Sequence, residues 1–443
     1  AIVVPAWNED LVIGTTIDRL VSMDYPDGAL RVYVVDDAST DGTPDVVKAK
    51  EIEYPGKVFH VRRDKGGEGK AHTLNHGLKQ ILAEDWSEAI LIIDADVIFE
   101  KDALRKMARH LADPEVGAVT AYIKEGTRPG NFMTRFIGFE YITAQAASRR
   151  AQNVMGTLFC LAGGAQLHSR ASLEAIGGRI DTSSLAEDTF TTFNTQLAGR
   201  KVHFEGNATV WAEEPFDIVG LWKQRLRWAR GNVQLTQRFW HIWFRPSKHA
   251  GLGSPVFGFI WFSIFLMPVL MVLATTGLVG LYFLDFPLSW RLFQMFWIIH
   301  AITYLFVTLM SFGIDLDTAK HTWVEGFLFP GVIATVIIIY SCFPPLFEVY
   351  LANGLYAIGL PPGESAVRVI ILFMYLWLTL GMVAAWGAKN LEGTPLARMV
   401  PALIYIVGYG PLLCAVTFAS YIYEARGAEM KWDKTVKTGK VNA

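Results

Sequence analysis

Five stretches free of Asp, Glu, Lys and Arg follow one another in the second half of the chain: Leu252 to Leu284, Leu292 to Phe312, Gly326 to Phe347, Val369 to Ala388 and Met399 to Tyr423. Each meets or exceeds the roughly 20 residues that a helix needs to cross a hydrocarbon core. Five such runs in succession are hard to wrap in protein, so residues 251–424 are expected to form a bundle of membrane-crossing helices. Trp261, Trp290, Trp377, Tyr282 and Tyr423 stand near run ends, where amphipathic rings form interfacial belts.

The tail, residues 425–443, sets a constraint on that bundle. If the polar first half lies in the cytosol and all five runs cross, the tail lies outside, yet it carries Arg426, Lys431, Lys434, Lys437 and Lys440. Positive residues favour the cytosolic side. One run is therefore expected to be interfacial or re-entrant, leaving four crossings. Gly326 to Phe347, interrupted by Pro330 and Pro344-Pro345, is the candidate.

Up to about Lys248, by contrast, charged residues are spread throughout and apolar runs are short, as in a water-soluble domain with a buried core. Lys plus Arg number 40 against 42 Asp plus Glu, which excludes nucleic acid as a partner suggested by bulk charge. The three cysteines, Cys160, Cys342 and Cys414, offer neither a disulfide framework nor a zinc spacing. The chain begins inside an apolar run, Ala1-Ile-Val-Val-Pro5, which leads us to expect further residues before it in the full protein.

Short apolar strands alternate with helical patterns in this first half, the signature of an α/β domain with a mostly parallel sheet. Strands are expected at Ile2 to Pro5, Val32 to Asp36, Val58 to Arg62, Ala89 to Asp94 and Val116 to Ala121, and helices at Val12 to Met23, Thr43 to Glu51, Lys70 to Glu84 and Lys101 to Ala112. Phe132 to Asn153 and Val219 to Phe244 mix aromatic, apolar and basic residues at helical spacing and read as helices lying at a membrane surface. The divisions are then a domain over 1–218, an interfacial helix region over 219–250, membrane helices over 251–424 and a basic cytosolic tail over 425–443.

Ligands of such sheets bind beyond the carboxyl ends of the strands. Pro5-Ala6-Trp7-Asn8-Glu9 closes the first strand with a turn and an aromatic face able to hold a flat base. Asp36-Asp37 ends the second, where two carboxylates can accept hydrogen bonds from an imide or from ribose hydroxyls. Gly66-Gly67-Glu68-Gly69-Lys70 opens a helix, and its amides and lysine suit a diphosphate, although the spacing is not that of a Walker loop. Ile92-Ile93-Asp94-Ala95-Asp96 runs a buried strand into two carboxylates, a pattern that can hold one Mg²⁺ or Mn²⁺ while a diphosphate supplies further oxygens. Ala186-Glu187-Asp188 and Gln224-Arg225-Leu226-Arg227-Trp228 complete the series. His60, His110, His203 and His241 show no metal spacing.

Asp36-Asp37, Asp94-x-Asp96, Glu187-Asp188 and Gln224-x-x-Arg227-Trp228 together resemble the motif set of membrane-integrated family 2 glycosyltransferases, the cellulose, chitin, hyaluronan and poly-N-acetylglucosamine synthases. Gly220 to Ala229 looks most like the bacterial poly-N-acetylglucosamine enzymes. The resemblance implies a GT-A fold in the α/β half and an inverting, metal-dependent hexosyl transfer from a UDP-sugar to a growing β-linked glycan that crosses the membrane. A single transfer to a membrane lipid, as in ceramide glucosyltransferase-like proteins, is the alternative. By resemblance Asp188, with Glu187, serves as base, and Pro5, Trp7, Glu9, Asp36, Asp37, Lys70, Asp94, Gln224 and Arg227 hold the donor. Asp96 takes the Mg²⁺ or Mn²⁺, and Trp228, Cys160 and Gly163 meet the acceptor. A multi-pass protein of the cell membrane follows, in contact with lipids, with its catalytic domain cytoplasmic and room for accessory export subunits. Two positions depart from the pattern: Ala186 stands where Thr is usual, and Phe159-Cys160-Leu161-Ala162-Gly163 differs from the cellulose synthase form.

Overall fold

A computed structural model of the protein describes residues 1–346, 349–350, 352–359, 364–430, 439 and 441. Phe347 and the tail lysines 431, 434, 437 and 440 lie outside the described residues. The chain forms two units, one of Ala1–Ile260 with Tyr423–Ala443 and one of Trp261–Ile422.

The first unit is built on an eight-stranded sheet: β1 (Ile2–Ala6), β2 (Val32–Asp36), β3 (Val58–Arg62), β4 (Ala89–Ile93), β5 (Val97–Phe99), β6 (Val116–Glu125), β7 (Ala165–Ser169) and β8 (Lys201–Ala212), in the order β3-β2-β1-β4-β7-β6-β8-β5. Its helices are α1 (Ile13–Val21), α2 (Thr43–Glu53), α3 (Lys70–Ala83), α4 (Ala103–Ala108), α5 (Phe132–Tyr141), α6 (Ser148–Met155), α7 (Arg170–Ala175), α8 (Glu187–Leu197) and α9 (Ile218–Arg238). Strands β1, β2 and β4 are apolar on both faces because helices cover both sides of the sheet. On α3, Ala71, Leu74, Leu78 and Ile81 recur at the helical period and pack on Val3, Val35, Ile90 and Ile92, so the helix that follows the glycine loop is clamped to the sheet.

All five expected strands are present. Three others, β5, β7 and β8, were not legible as strands, and they change the character of the sheet. The neighbours β3, β2, β1 and β4 are parallel, as are β6 and β8, but β7 runs antiparallel to both β4 and β6, and β5 antiparallel to β8. The sheet is thus mixed, with four of its seven pairings parallel. β7 escaped notice because it reads Ala-Gln-Leu-His-Ser, with Gln166 and His168 buried and hydrogen-bonded at 3.1 Å. Burial alone lowers the His168 pKa to about 4, so the ring sits in the core as a neutral group.

The segment expected at a membrane surface, Phe132 to Asn153, is a helix interrupted by a π turn over Ile142–Ala147. Met133, Phe136, Ile137, Phe139, Tyr141 and Ile142 are buried inside the first unit, so its apolar side is spent on packing there.

In the second unit, Ser289–Ile314 and Val367–Asn390 are long and apolar enough to cross a membrane. Three further runs are bent pairs: Pro255–Phe265 with Met267–Phe283 by 70°, Leu316–Phe327 with Val332–Cys342 by 73°, and Ala397–Val407 with Tyr409–Ala425 by 100°. The sharpest bend is therefore not in Gly326 to Phe347 but in the last run. Two of the breaks abut backbone to backbone. A Cβ on Gly331 would stand 2.4 Å from the carbonyl carbon of Val407, and one on Gly408 would stand 2.5 Å from that of Pro330. Gly410 N–H donates to Phe329 O at 3.0 Å, and Tyr405 O–H donates to the buried Glu325 at 2.5 Å. Backbone groups freed by the breaks are in this way answered from the neighbouring helix, as a low-dielectric interior demands. Trp261 and Trp377, expected in interfacial belts, are 4% and 5% exposed and are packed within protein.

Leu78→Ala should lower the stability of the first unit by about 2–5 kcal/mol, since it opens a cavity between α3 and the sheet. A fall in the thermal transition of the purified protein checks this.

Candidate active site

The ends of β1 and β2 are laced together by their turns. Asn8 N–H donates to Ser39 Oγ at 3.0 Å, Glu9 N–H to Thr43 Oγ1 at 2.7 Å, and Thr40 N–H to Asn8 Oδ1 at 2.8 Å. Pro5 pairs with Val35 across the strands, and Trp7, 39% exposed, offers its ring beside this turn.

Asp36 and Asp37 are both buried, and both have partners. Asp36 accepts from Ser39 N–H at 2.8 Å and from Arg62 Nη1 at 2.6 Å, with His60 Nε2 at 3.3 Å. Burial alone would raise its pKa, but the bonds from His60 and Ser39 and the charge of Arg62 outweigh burial and hold it low. Asp37 meets Arg63 Nη1 and accepts from Gly67 N–H at 2.9 Å, which anchors the glycine loop to the end of β2. Gly66 presses against the same residue: a Cβ there would lie 1.9 Å from Asp37 O. That approach is why this loop position must lack a side chain.

The loop delivers Lys70 into the centre of the site. Its Nζ donates to Gly163 O at 2.9 Å, pairs with Asp94 Oδ1 at 2.5 Å and lies 3.6 Å from Glu187 Oε1. Burial would lower its pKa, but Asp94 and Glu187 outweigh burial, and the pKa is raised, so Lys70 stays an ammonium ion. Thr16 Oγ1 fixes the turn that carries Asp94 and Asp96 by donating to Ala95 O at 2.6 Å.

Glu187 and Asp188 open α8. Asp188 Oδ1 accepts from Thr189 N–H at 2.6 Å, and its Oδ2 lies 3.8 Å from Cys160 Sγ. Gly163 leaves room on the other side, since a Cβ there would sit 3.2 Å from Asp188 Oδ2 and 3.3 Å from Lys70 Nζ. Burial pushes the Glu187 pKa up to about 7, against the opposing pull of Lys70 and with the Asp188 charge adding to the rise; Arg227 is close enough to lower it. Cys160, half-buried beside Asp188, has its thiol pushed up to about 12, first by desolvation and then by that carboxylate, and so is an inert neighbour rather than a nucleophile.

The structure therefore brings together Lys70, Asp94, Cys160, Gly163, Glu187, Asp188 and Arg227 from segments far apart in sequence. Gln224 is differently placed. Its Nε2 donates to Glu214 Oε2 at 3.1 Å and its Oε1 accepts from Arg225 Nη1 at 2.6 Å. Tyr141 O–H donates to the other oxygen of Glu214 at 2.6 Å, and Arg225 pairs with Glu140 at 2.9 Å and covers the Trp228 ring at 4.1 Å. This network seats α9 on α5. Its members Glu214, Glu140 and Tyr141, like Arg62 and Arg63, carried no signal in sequence, because their partners come from other elements.

Among the described residues no three His, Cys, Asp or Glu side chains stand together to hold a metal ion. A single carboxylate can hold a hard divalent cation where a bound diphosphate supplies the other oxygens.

Mixed sheet, carboxylates at the ends of β2 and β4 and an acidic helix start are the marks of a GT-A-like sugar-nucleotide domain. The chain belongs to glycosyltransferase family 2: residues 1–231 match the family described as "Glycosyltransferase like family 2". It is 33% identical over 240 residues to the beta-monoglucosyldiacylglycerol synthase of Synechocystis sp., a match covering 54% of this chain and 49% of that one. The chain thus spans about half the length of that relative. It is 24% identical over 314 residues to the poly-beta-1,6-N-acetyl-D-glucosamine synthase of Staphylococcus epidermidis, covering 70% of this chain and 72% of that one. In fold it is similar to the mannosyltransferase PcManGT from Pyrobaculum calidifontis, solved in complex with GDP-Man and Mn²⁺, with a TM-score of 0.52 and 21% identity over 79% of this chain and 87% of that one.

Gly66→Ala should reduce nucleotide affinity at least 10-fold by displacing the loop from Asp37, read by titration calorimetry. The acid limb of the pH–rate profile should rise through about pH 7 as Glu187 loses its proton and adds negative charge beside Asp188. In the E187Q variant that limb should disappear.

Proposed function

We propose that the protein is an inverting, metal-dependent hexosyltransferase that extends a β-linked polysaccharide from a UDP-sugar and passes the product through its own helices. The observation that carries this reading is the meeting of the Glu187–Asp188 pair with Lys70 and Asp94 in one cluster, with Glu187 buried and Asp94 partly open to solvent. It combines a carboxylate base with a fixed positive charge, the two requirements of displacing a nucleoside diphosphate from an anomeric carbon.

In the proposed reaction an acceptor hydroxyl oxygen forms the new bond to the anomeric carbon while the bond to the diphosphate oxygen breaks. Asp188 takes the hydroxyl proton, and UDP leaves with the electron pair. Because the attack comes from the face opposite the leaving group, an α-linked donor yields a β-linked product. Lys70 and Arg227 hold the diphosphate by charge, and Trp7 stacks on the base. A Mg²⁺ or Mn²⁺ at Asp96 would neutralise charge on the departing diphosphate. Trp228 offers a face to the acceptor sugar.

A second reading is favoured by one observation: the relative at 33% identity is named as a glucosyldiacylglycerol synthase, so a single transfer to a membrane lipid is the alternative. Incubation with labelled UDP-sugars separates the two. A ladder or high-mass product supports the polymer, and one lipid-soluble monoglycoside supports the lipid acceptor. D188N should lower kcat by about 10²–10⁴ with donor binding nearly intact, and full activity in that variant would refute the base assignment. D96A should raise the metal concentration needed for UDP binding.

We also place the protein in the cell membrane with its catalytic unit cytoplasmic. A basic tail on the same side as the catalytic unit requires an even number of crossings. Four crossings and one re-entrant run meet that requirement, and the 100° bend favours the last run as the re-entrant one. A fluorescent protein fused after Ala443 should then report the cytosolic side.

A further inference from the structure

α9 meets the catalytic turn twice. At Gly231 the approach is backbone to backbone: a Cβ there would lie 2.4 Å from the Cβ of Ala186 and 2.9 Å from its nitrogen. One turn further on, Gln234 Oε1 accepts from Leu185 N–H at 3.1 Å. Leu185 and Ala186 immediately precede Glu187 and Asp188. These two contacts from one helix therefore fix where α8 begins and where both carboxylates stand.

The other end of the Gln234 amide is also engaged. Its Nε2 donates to Glu424 Oε2 at 3.2 Å, while Glu424 Oε1 accepts from Arg230 Nε. Arg230 in turn donates to Ala428 O at 2.7 Å and to Glu429 O at 3.0 Å. Arg230 is 6% exposed, so the chain just after the last helix, Tyr409–Ala425, is captured by a buried guanidinium. An amide that accepts on one side and donates on the other can be satisfied in only one orientation here, which makes its geometry informative.

We propose that Gln234 is a positioning residue that ties the Leu185–Asp188 turn to Glu424, so that docking of the end of the last helix sets the orientation of the catalytic carboxylates. This rests on the reading of Asp188 as base given above. Gln234 touches neither Glu187 nor Asp188 in any bond described here and acts through the Leu185 amide. Its loss should misplace the base without removing it, and a misplacement of about 1 Å can cost on the order of 10² in rate.

The test uses the full-length protein in detergent or nanodiscs and the UDP-sugar that gives the fastest UDP release. Q234A should lower kcat about 10- to 100-fold, with the donor KM within about twofold of the parent and an unchanged thermal transition. Removing Arg230 would strand a buried carboxylate and risks unfolding, so the stronger test exchanges partners. Q234E places two carboxylates face to face and should be slow. Q234E combined with E424Q restores an acceptor for Leu185 N–H and a donor–acceptor pair with the roles swapped, and should recover most of the lost rate. A kcat for Q234A within twofold of the parent, a rate loss that tracks a fall in the thermal transition, or a double variant no faster than Q234E would each overturn the proposal. D188N serves as the reference. If it is inactive while Q234A is fully active, the positioning role fails and the base assignment stands; if D188N is fully active, both fail.

Discussion

The ammonium group of Lys70 is the interaction on which the site depends. It touches Asp94 at the end of β4, the carbonyl of Gly163 before β7 and the carboxylate of Glu187 at the start of α8. These groups are distant in sequence, and three of them would be costly to bury alone. Together they neutralise one another, and the charge that remains is negative on the side of Glu187 and Asp188. Burial alone would lower the Lys70 pKa, and its neighbours Asp94 and Glu187 outweigh this. The same balance leaves Glu187 with a pKa near the middle of the physiological range, where its charge responds to small changes.

Around that centre the acidic motifs divide into two kinds. Asp36 and Asp37 are buried and answered by Arg62, Arg63, Ser39 and Gly67, so their first task is to hold the turn of β2 and the glycine loop in place. Asp94, Glu187 and Asp188 are gathered about Lys70 and shape the reaction centre. Gln224 belongs to the first kind, since Glu214 and Arg225 hold both ends of its amide. A motif can thus recur because it builds the platform as well as because it touches the substrate.

The second unit shows how apolar sequence and broken geometry coexist. Proline and glycine interrupt three of the five apolar runs as bent pairs, and two of the breaks are set against each other at Gly331 and Gly408. Neither glycine could carry a side chain there, because the carbonyl groups of the other break occupy the space. Glu325 is accommodated in this apolar unit by a hydrogen bond from Tyr405. Composition makes such a unit recognisable, but the angle at a break depends on what the facing helix presents.

Sequence alone determined a good deal. The α/β character, five strands, the glycine loop and its lysine, the acidic strand ends and the apolar second half are all local properties, readable from periodicity and from residue type at a strand end. Lys70 and Asp94 were legible for the same reason, and Glu187 through the resemblance of its motif. Only the tertiary structure decided the rest. β7 is polar at Gln166 and His168 and became a central strand because the two side chains bond to each other while its backbone pairs with β4 and β6. Phe132 to Asn153 has the pattern of a surface-seeking helix, and its apolar side was claimed by the sheet instead. The tie from Gln234 to Glu424 joins residues 190 positions apart, and the bend of the last run at Gly408 is set against the distant Gly331. Periodicity records which face of an element is apolar; which element covers that face, and which side chain answers a buried charge, is settled only when distant segments compete for the same space.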